Sequence, residues 1–187
     1  MKILITGAGT MLGNYLSLKF SRDNQVYATY NNSFPKNLKK HKNIKIIKID
    51  LNKKFSINQN FDALIHCASA VPVYNYNKKK MEQIEVLGFK KILKICKKNN
   101  CKKIVFFSSV AIYGKNIRRK NITENDKPNP KDIYSKNKLK CEKMLKKYSQ
   151  TINSEILILR LSALLGPGSK NNFLSSALKK IKKDKKI

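Results

Sequence analysis

A tyrosine and a lysine stand four positions apart in the sequence Tyr-Ser-Lys-Asn-Lys, which runs from Tyr134 to Lys138. On a helix this spacing places both side chains on the same face. A free phenol has a pKa of about 10, and a neighbouring ammonium stabilises its ionised form. Such a pair can move a proton at an alcohol carbon. In a chain with 41 lysines and arginines the pattern also arises by chance, so the rest of the sequence must decide.

The composition places the chain among globular proteins and makes its charge ambiguous. A length of 187 residues suits one α/β domain. The formal net charge of +30 would suit a nucleic-acid partner, but only four of the 41 basic residues are arginines. Nucleic-acid binders usually concentrate charge on one face and read bases with arginine. We therefore interpret the lysines as a general compositional bias and do not expect a nucleic-acid partner.

The sequence offers neither a membrane segment nor a metal site. No apolar run approaches the roughly 20 residues of a membrane span, and the amino terminus does not resemble a signal peptide. We expect a cytoplasmic protein that does not bind a membrane. The four cysteines are scattered and only two histidines exist, so we expect reduced thiols and no metal.

Short apolar runs alternate with helical stretches along the whole chain. This alternation predicts an α/β fold, a Rossmann-like doubly wound parallel sheet with helices on both faces. In the helix over 78–98, Ile84, Leu87, Ile92 and Ile95 have the spacing of one buried stripe. Segments 71–77 and 115–130 are predicted loops, and the second of them could cover an active site. The predicted strands are 2–6, 25–30, 44–49, 62–66, 103–108 and 155–160, and the predicted helices are 11–22, 78–98, 132–148 and 171–182.

A glycine loop follows the first predicted strand and precedes the first helix. It contains Gly7, Gly9 and Gly13. In this position, backbone N–H groups and a helix N-terminus can meet a pyrophosphate. Glycines keep side chains away from the phosphates and let the helix approach the sheet. The loop therefore predicts dinucleotide binding.

Taken in chain order, six motifs resemble the extended short-chain dehydrogenase/reductase family, in its NAD-dependent epimerase/dehydratase group that acts on nucleotide sugars. The middle glycine of the family's loop is displaced, because Thr10 stands at its position. We therefore expect either an ordinary backbone conformation or strain there. The motifs are the loop from Thr6 to Gly13, Asp50-Leu51, the fourth-strand segment from Asp62 to Ala70, Ser108-Ser109 with Tyr113-Gly114, Tyr134 with Lys138, and Leu159-Arg160 with Gly166-Pro167.

The resemblance implies a role for each matched residue. Tyr134 is the implied acid or base, Lys138 holds the nicotinamide ribose, and Ser109 orients the substrate oxygen. His66 is expected to be a core histidine. Glu85 replaces an asparagine of the family, and we assign it no role. The implied cofactor-binding residues are Gly7, Gly9, Thr10, Met11, Leu12, Gly13, Asn31, Asp50, Leu51, Cys67, Ala68, Ser69, Ser108, Tyr134 and Lys138.

The cofactor is expected to be NAD or NADP. NAD-binding members normally carry a carboxylate at the end of the second strand, where this chain has Asn31. Lys36, Lys39 and Lys40 follow closely, so a 2′-phosphate is permitted there.

The two residues that follow Ser109 restrict which reactions of the family are expected. Sugar 4,6-dehydratases of the family carry Asp-Glu at these positions, where this chain has Val110 and Ala111. The fucose-type epimerase-reductases use a cysteine in that loop, and none is present. The resemblance therefore favours a 4-epimerase or a keto-sugar reductase acting on a nucleotide sugar.

Two other functions stay open beside this one. A non-catalytic NAD(P)-binding or redox-sensing module suits the displaced glycine, and a basic nucleic-acid-binding protein rests on charge alone. We expect residues 1–187 to form one NAD(P)-binding domain, in which about 171–187 begin a truncated substrate-binding region and most of the family's C-terminal lobe is absent. A homodimer is left open.

Overall fold

The structure, a computed structural model, describes residues 1–71, 76–118, 121–166 and residue 181, without the side chains of 115–118. Its centre is one sheet of six parallel strands in the order β3-β2-β1-β4-β5-β6. The chain therefore builds outward from β1 on one side and then returns to build on the other. The strands are β1 (Lys2–Thr6), β2 (Gln25–Tyr30), β3 (Ile44–Lys48), β4 (Ala63–His66), β5 (Lys103–Ser109) and β6 (Glu155–Leu161).

Helices cover both faces of this sheet, each over its own apolar cluster. Leu4 and Phe106 belong to the cluster that contains side chains of α3 and α4, whereas Ile3 and Ile65 belong to the cluster that contacts α1. The predicted doubly wound fold is confirmed. The helices are α1 (Met11–Phe20), α2 (Lys78–Glu82), α3 (Gly88–Lys98) and α4 (Ile133–Ile152), with 3₁₀ segments at Lys36–Lys40 and Val110–Arg118.

The predicted helix over 78–98 contains a π-helical turn, Gln83–Leu87, between α2 and α3. A π turn includes one residue more than an α turn, so it rotates the side chains of α3 about the helix axis relative to those of α2. The predicted stripe is consequently wrong at Leu87, whose surface is 49% exposed, and right at Ile92, which is fully buried. Val86 and Phe89 lie on the buried side instead.

Of three further predictions, one is partly wrong and two concern segments that the structure does not fully describe. The predicted loop over 115–130 is wrong at its start, because residues 115–118 form a second 3₁₀ turn after a kink at Gly114. Residues 72–75 of the first loop lie outside the described residues, as does the helix over 171–182 apart from residue 181. In the described ranges, no helix has the length and apolar character needed to cross a bilayer.

Candidate functional site

The glycine loop connects β1 to α1 through close backbone packing. Gly7 has φ +75°, and a Cβ atom there would lie 2.7 Å from the Ala68 nitrogen. A Cβ on Gly13 would lie 2.3 Å from the Gly7 carbonyl oxygen, which agrees with the predicted approach of helix to sheet. At Gly9 the neighbour is the Ser33 carbonyl oxygen, at 2.3 Å. The glycines thus bring three backbone segments together at the carboxyl ends of the strands.

Thr10 begins α1 as an ordinary N-cap residue. Its φ of −91° and ψ of 161° are extended, so the strain considered from the sequence does not occur. The hydroxyl accepts a hydrogen bond from the Gly13 amide at 3.2 Å and donates one to the Gly7 carbonyl at 2.8 Å. The amides of Met11 and Leu12 donate to no other group within the described part of the chain. Two N–H groups at a helix N-terminus are therefore available to a phosphate, which fits a dinucleotide.

A cleft opens at the carboxyl ends of β1 to β4, next to this loop. Eight of the predicted cofactor-binding residues line it, whereas Met11, Leu12, Gly13, Cys67, Ser108, Tyr134 and Lys138 do not. The lining also includes positions that sequence reasoning missed, among them Ser33 and Tyr76. The eight predicted residues are Gly7, Gly9, Thr10, Asn31, Asp50, Leu51, Ala68 and Ser69.

The wall of the cleft after β2 offers amide and hydroxyl groups. Asn31, Asn32 and Ser33 line it there, so the side chains at this point carry no charge. Lys36 and Lys39 belong to the following 3₁₀ segment and do not line the cleft. This wall is therefore compatible with an unmodified ribose as well as with a phosphorylated one.

Helix α4 presents the tyrosine and lysine near the carboxyl end of β5. Asp132 caps the helix by accepting a hydrogen bond from the Ser135 amide at 2.9 Å, which places Tyr134 in the first turn. The Lys138 ammonium lies 5.7 Å from the centre of the Tyr134 ring. It also donates to the Phe107 carbonyl at 2.9 Å. The Tyr134 hydroxyl makes no hydrogen bond to any described group, so it is free for a ligand.

Glu85 also belongs to this site, although the sequence analysis assigned it no role. It lies in the π turn, and its Oε1 atom is 2.7 Å from the Lys138 Nζ atom. Burial alone would raise the pKa of Glu85, but the Lys138 charge and hydrogen bonds from Ala70 and Ser69 outweigh it and lower the pKa. Burial would likewise lower the pKa of Lys138, yet Glu85 and then Tyr134 raise it. Both groups of the pair are therefore charged at neutral pH.

His66 lies behind this pair as the expected core histidine. Its Nδ1 atom is 2.8 Å from the Thr6 hydroxyl, and its ring lies against Phe89 and Phe106. Burial lowers the pKa of His66 to about 3, so the ring is neutral. Burial also raises the pKa of the Cys67 thiol to about 12, which removes it as a nucleophile.

The two serines at the end of β5 have different surroundings. The Ser108 hydroxyl is buried and donates to Glu142 at 2.5 Å, so its bonding capacity as a donor is used within the protein. Arg160 pairs with the same carboxylate at 2.8 Å and donates to the Tyr113 hydroxyl. Among the described residues, the Ser109 hydroxyl has one hydrogen bond, accepted from the Ala111 amide at 3.2 Å, so its proton is available for a ligand. In residues 1–71, 76–118 and 121–166, no three His, Cys, Asp or Glu side chains are grouped to hold a metal ion.

The doubly wound sheet, the glycine loop after β1 and the cleft at the strand ends define a Rossmann-type dinucleotide-binding fold. The chain belongs to the NAD dependent epimerase/dehydratase family, whose family model matches residues 3–187. The family predicted from the motifs is confirmed. The predicted fold is confirmed with it, and so is NAD as the class of cofactor.

Individual relatives have mixed activities. D-erythronate dehydrogenase from Haemophilus influenzae is 26% identical over 98% of this chain and 62% of its own length. An uncharacterized UDP-glucose epimerase from Bacillus subtilis is also 26% identical, over 89% of this chain and 58% of its own length. The chain therefore spans about three fifths of the length of these two curated relatives.

Solved structures show the same fold. The UDP-N-acetylglucosamine 4-epimerase of Methanobrevibacter ruminantium superposes with a TM-score of 0.82 at 28% identity, over 92% of this chain and 58% of that chain. The UDP-glucuronic acid 4-epimerase of Bacillus cereus, crystallised with UDP-glucuronic acid and NAD, has a TM-score of 0.82 at 20% identity, over 98% of this chain and 64% of that chain.

Proposed function

We propose that the protein is an NAD(P)-dependent epimerase or reductase that transfers hydride at a hydroxyl or keto carbon of a nucleotide sugar. One observation carries the proposal. The buried Lys138 ammonium lies beside the Tyr134 ring and is joined through Glu85 to Ser69, a residue of the cleft wall. An acid–base pair is thereby connected to a cleft that fits a dinucleotide.

Each proposed role rests on the hydrogen bonds that the side chain can still make to a ligand. Tyr134 has a free hydroxyl and would exchange a proton with the substrate oxygen. Ser109 would orient that oxygen with its available hydroxyl proton. Lys138 would hold the nicotinamide ribose with an ammonium proton that the Phe107 carbonyl does not accept. The bound cofactor supplies the hydride-transfer chemistry, and the Met11 and Leu12 amides would hold its pyrophosphate.

The residues after Ser109 favour reactions without loss of water. The side chains of Val110 and Ala111 have no ionisable group, so they cannot act as the acid and base of an elimination. One relative is named a dTDP-D-glucose 4,6-dehydratase, at 24% identity, so similarity alone does not separate the branches. The side chains support an epimerase or reductase instead.

A two-stage experiment tests the proposal. Calorimetric titration with NAD⁺, NADH, NADP⁺ and NADPH measures binding, and a panel of UDP-sugars, dTDP-glucose and D-erythronate then measures turnover. We expect saturable dinucleotide binding and conversion of at least one UDP-sugar. Dinucleotide binding without turnover would favour the non-catalytic module. The absence of dinucleotide binding, with salt-dependent RNA or DNA retention in a gel shift, would favour the nucleic-acid binder.

A further inference from the structure

Glu85 occupies an unusual place for a carboxylate, because its side chain is only 2% exposed. It lies within the π turn that interrupts the α2–α3 helix, and such turns often occur at functional sites. One carboxylate oxygen faces Lys138, and the other accepts hydrogen bonds from the Ser69 hydroxyl and the Ala70 amide, each at 2.8 Å. The same side chain therefore contacts α4 and the segment after β4.

We propose that Glu85 is a positioning residue, which fixes the Lys138 ammonium and the Ser69–Ala70 wall of the cleft relative to one another for cofactor binding. This inference rests on the function proposed above. It assigns to Glu85 a task that neither the glycine loop nor the Tyr134 and Lys138 pair accounts for.

The donors around Glu85 explain why a carboxylate is needed. An ionised carboxylate accepts hydrogen bonds at both oxygens and has no proton to donate. Here one oxygen meets an ammonium and the other meets a hydroxyl and an amide. A glutamine has one accepting oxygen and one NH₂ group, so it would turn donors toward either Lys138 or Ala70. No neutral side chain of this shape satisfies both sides.

The geometry also fixes how Lys138 can meet a ligand. Its ammonium has three protons. The Phe107 carbonyl accepts one at 2.9 Å, and the Glu85 Oε1 atom lies 2.7 Å from the nitrogen as an ion pair. These two contacts fix the position of the nitrogen, and a proton that the carbonyl does not take is directed to a ligand. Loss of Glu85 would leave a buried ammonium with one protein acceptor and freedom to rotate away.

The same two structural elements carry a matched control. Glu82, the last residue of α2, pairs with Lys140 of α4 at 2.6 Å, and both side chains are about half exposed. Substitution of Glu82 by glutamine removes a charge from the same helix pair but leaves the cleft unchanged. Exposed pairs of this kind contribute little to stability.

A double-mutant cycle tests whether Glu85 acts through Lys138. NAD⁺ dissociation constants are measured by calorimetry for the wild type, E85Q, K138M, the E85Q/K138M double variant and E82Q. We expect E85Q alone to weaken binding by about tenfold and to change it by less than about twofold in the K138M background. E82Q is expected to match the wild type.

Two outcomes overturn the inference alone. One is wild-type affinity in E85Q, and the other is an equal effect of E85Q with and without Lys138, which indicates a purely structural role. A wild type that binds no dinucleotide overturns the proposed function as well. Glu85→Asp serves as a second variant where E85Q does not fold, because it keeps the charge. It is expected to bind NAD⁺ more weakly than the wild type, because its shorter side chain cannot reach both sides, and wild-type affinity in E85D would contradict the need for the two-sided contact.

Discussion

The Glu85 carboxylate and the Lys138 ammonium lie 2.7 Å apart, with 2% and 4% of their side chains exposed. Taking two charges out of water is costly, and removal of one partner leaves the other unpaired. The two groups hold each other in the charged state, since the pKa of Glu85 is lowered and the pKa of Lys138 is raised.

This pair predicts a specific dependence of stability on pH. Because the folded-state pKa of Glu85 lies below its ordinary value of 4.5, its contribution is present above pH 4.5 and is lost as pH falls through the folded-state pKa. Because the pKa of Lys138 is raised above 10.5, its contribution to the stability of the fold is fully present up to pH 10.5. Urea unfolding should give E85Q a free energy of unfolding about 3 kcal/mol below wild type at neutral pH. The difference should shrink below pH 4.5, and a constant difference down to pH 2 would contradict the account.

A second buried pair joins α4 to β6, and its loss should destabilise the fold. Glu142 is 2% exposed and pairs with Arg160 at 2.8 Å. Arg160→Ala leaves that carboxylate buried, with Ser108 as its one remaining partner in the described part of the chain, so we expect a loss of about 3 kcal/mol. Lys140→Ala breaks an exposed pair on the same helix and should cost less than about 1 kcal/mol. Equal losses in the two variants, measured by urea unfolding, would argue against the burial of this pair.

The packing of the glycine loop can be tested with one methyl group. A Cβ atom at Gly9 would lie 2.3 Å from the Ser33 carbonyl oxygen, so the Gly9→Ala loop must shift. We expect a loss of about 1–3 kcal/mol in stability together with weaker NAD⁺ binding. Gly166→Ala is the matched control, because the nearest described atom to a Cβ there is the Met11 sulfur at 3.6 Å. A Gly9→Ala protein that is as stable as Gly166→Ala would contradict the loop geometry.

The cofactor choice can be tested at the end of β2. Asn31 lines the cleft at the position where a carboxylate selects an unphosphorylated ribose. Asn31→Asp should raise the ratio of NAD⁺ to NADP⁺ affinity by about tenfold, because the new charge repels a 2′-phosphate. Asn60→Asp adds the same charge on an exposed residue before β4, at the amino ends of the strands and away from the cleft. An equal change of the ratio in the two variants would show a long-range charge effect.

The fold was predictable because its strands are short apolar runs with distinct ends. The run over 103–108 differs from β5 by one residue, and 25–30 coincides with β2. The π turn was not predictable, since periodicity assumes 3.6 residues per turn throughout. Leu87 therefore faces solvent where the spacing predicted burial.

The site was predictable where a motif fixes several residues and unpredictable where single side chains meet across the fold. The glycine loop and the Tyr134 and Lys138 spacing are local patterns. The contact of Glu85 with Lys138 joins residues 53 positions apart in sequence, and no local pattern predicts it. Likewise, the Ser108 contact with Glu142 depends on how α4 packs against β5.

Tyr134→Phe tests the central claim most directly, with Tyr148→Phe as its control on the same helix. Each variant loses one hydroxyl, and that of Tyr148 is buried without a hydrogen-bond partner in the described part of the chain. Turnover of a UDP-sugar should fall by about 10²- to 10⁴-fold in Y134F, while NAD⁺ affinity stays within about twofold of wild type. Y148F should retain wild-type turnover. Substantial turnover in Y134F would contradict the assignment of Tyr134 as the acid–base residue.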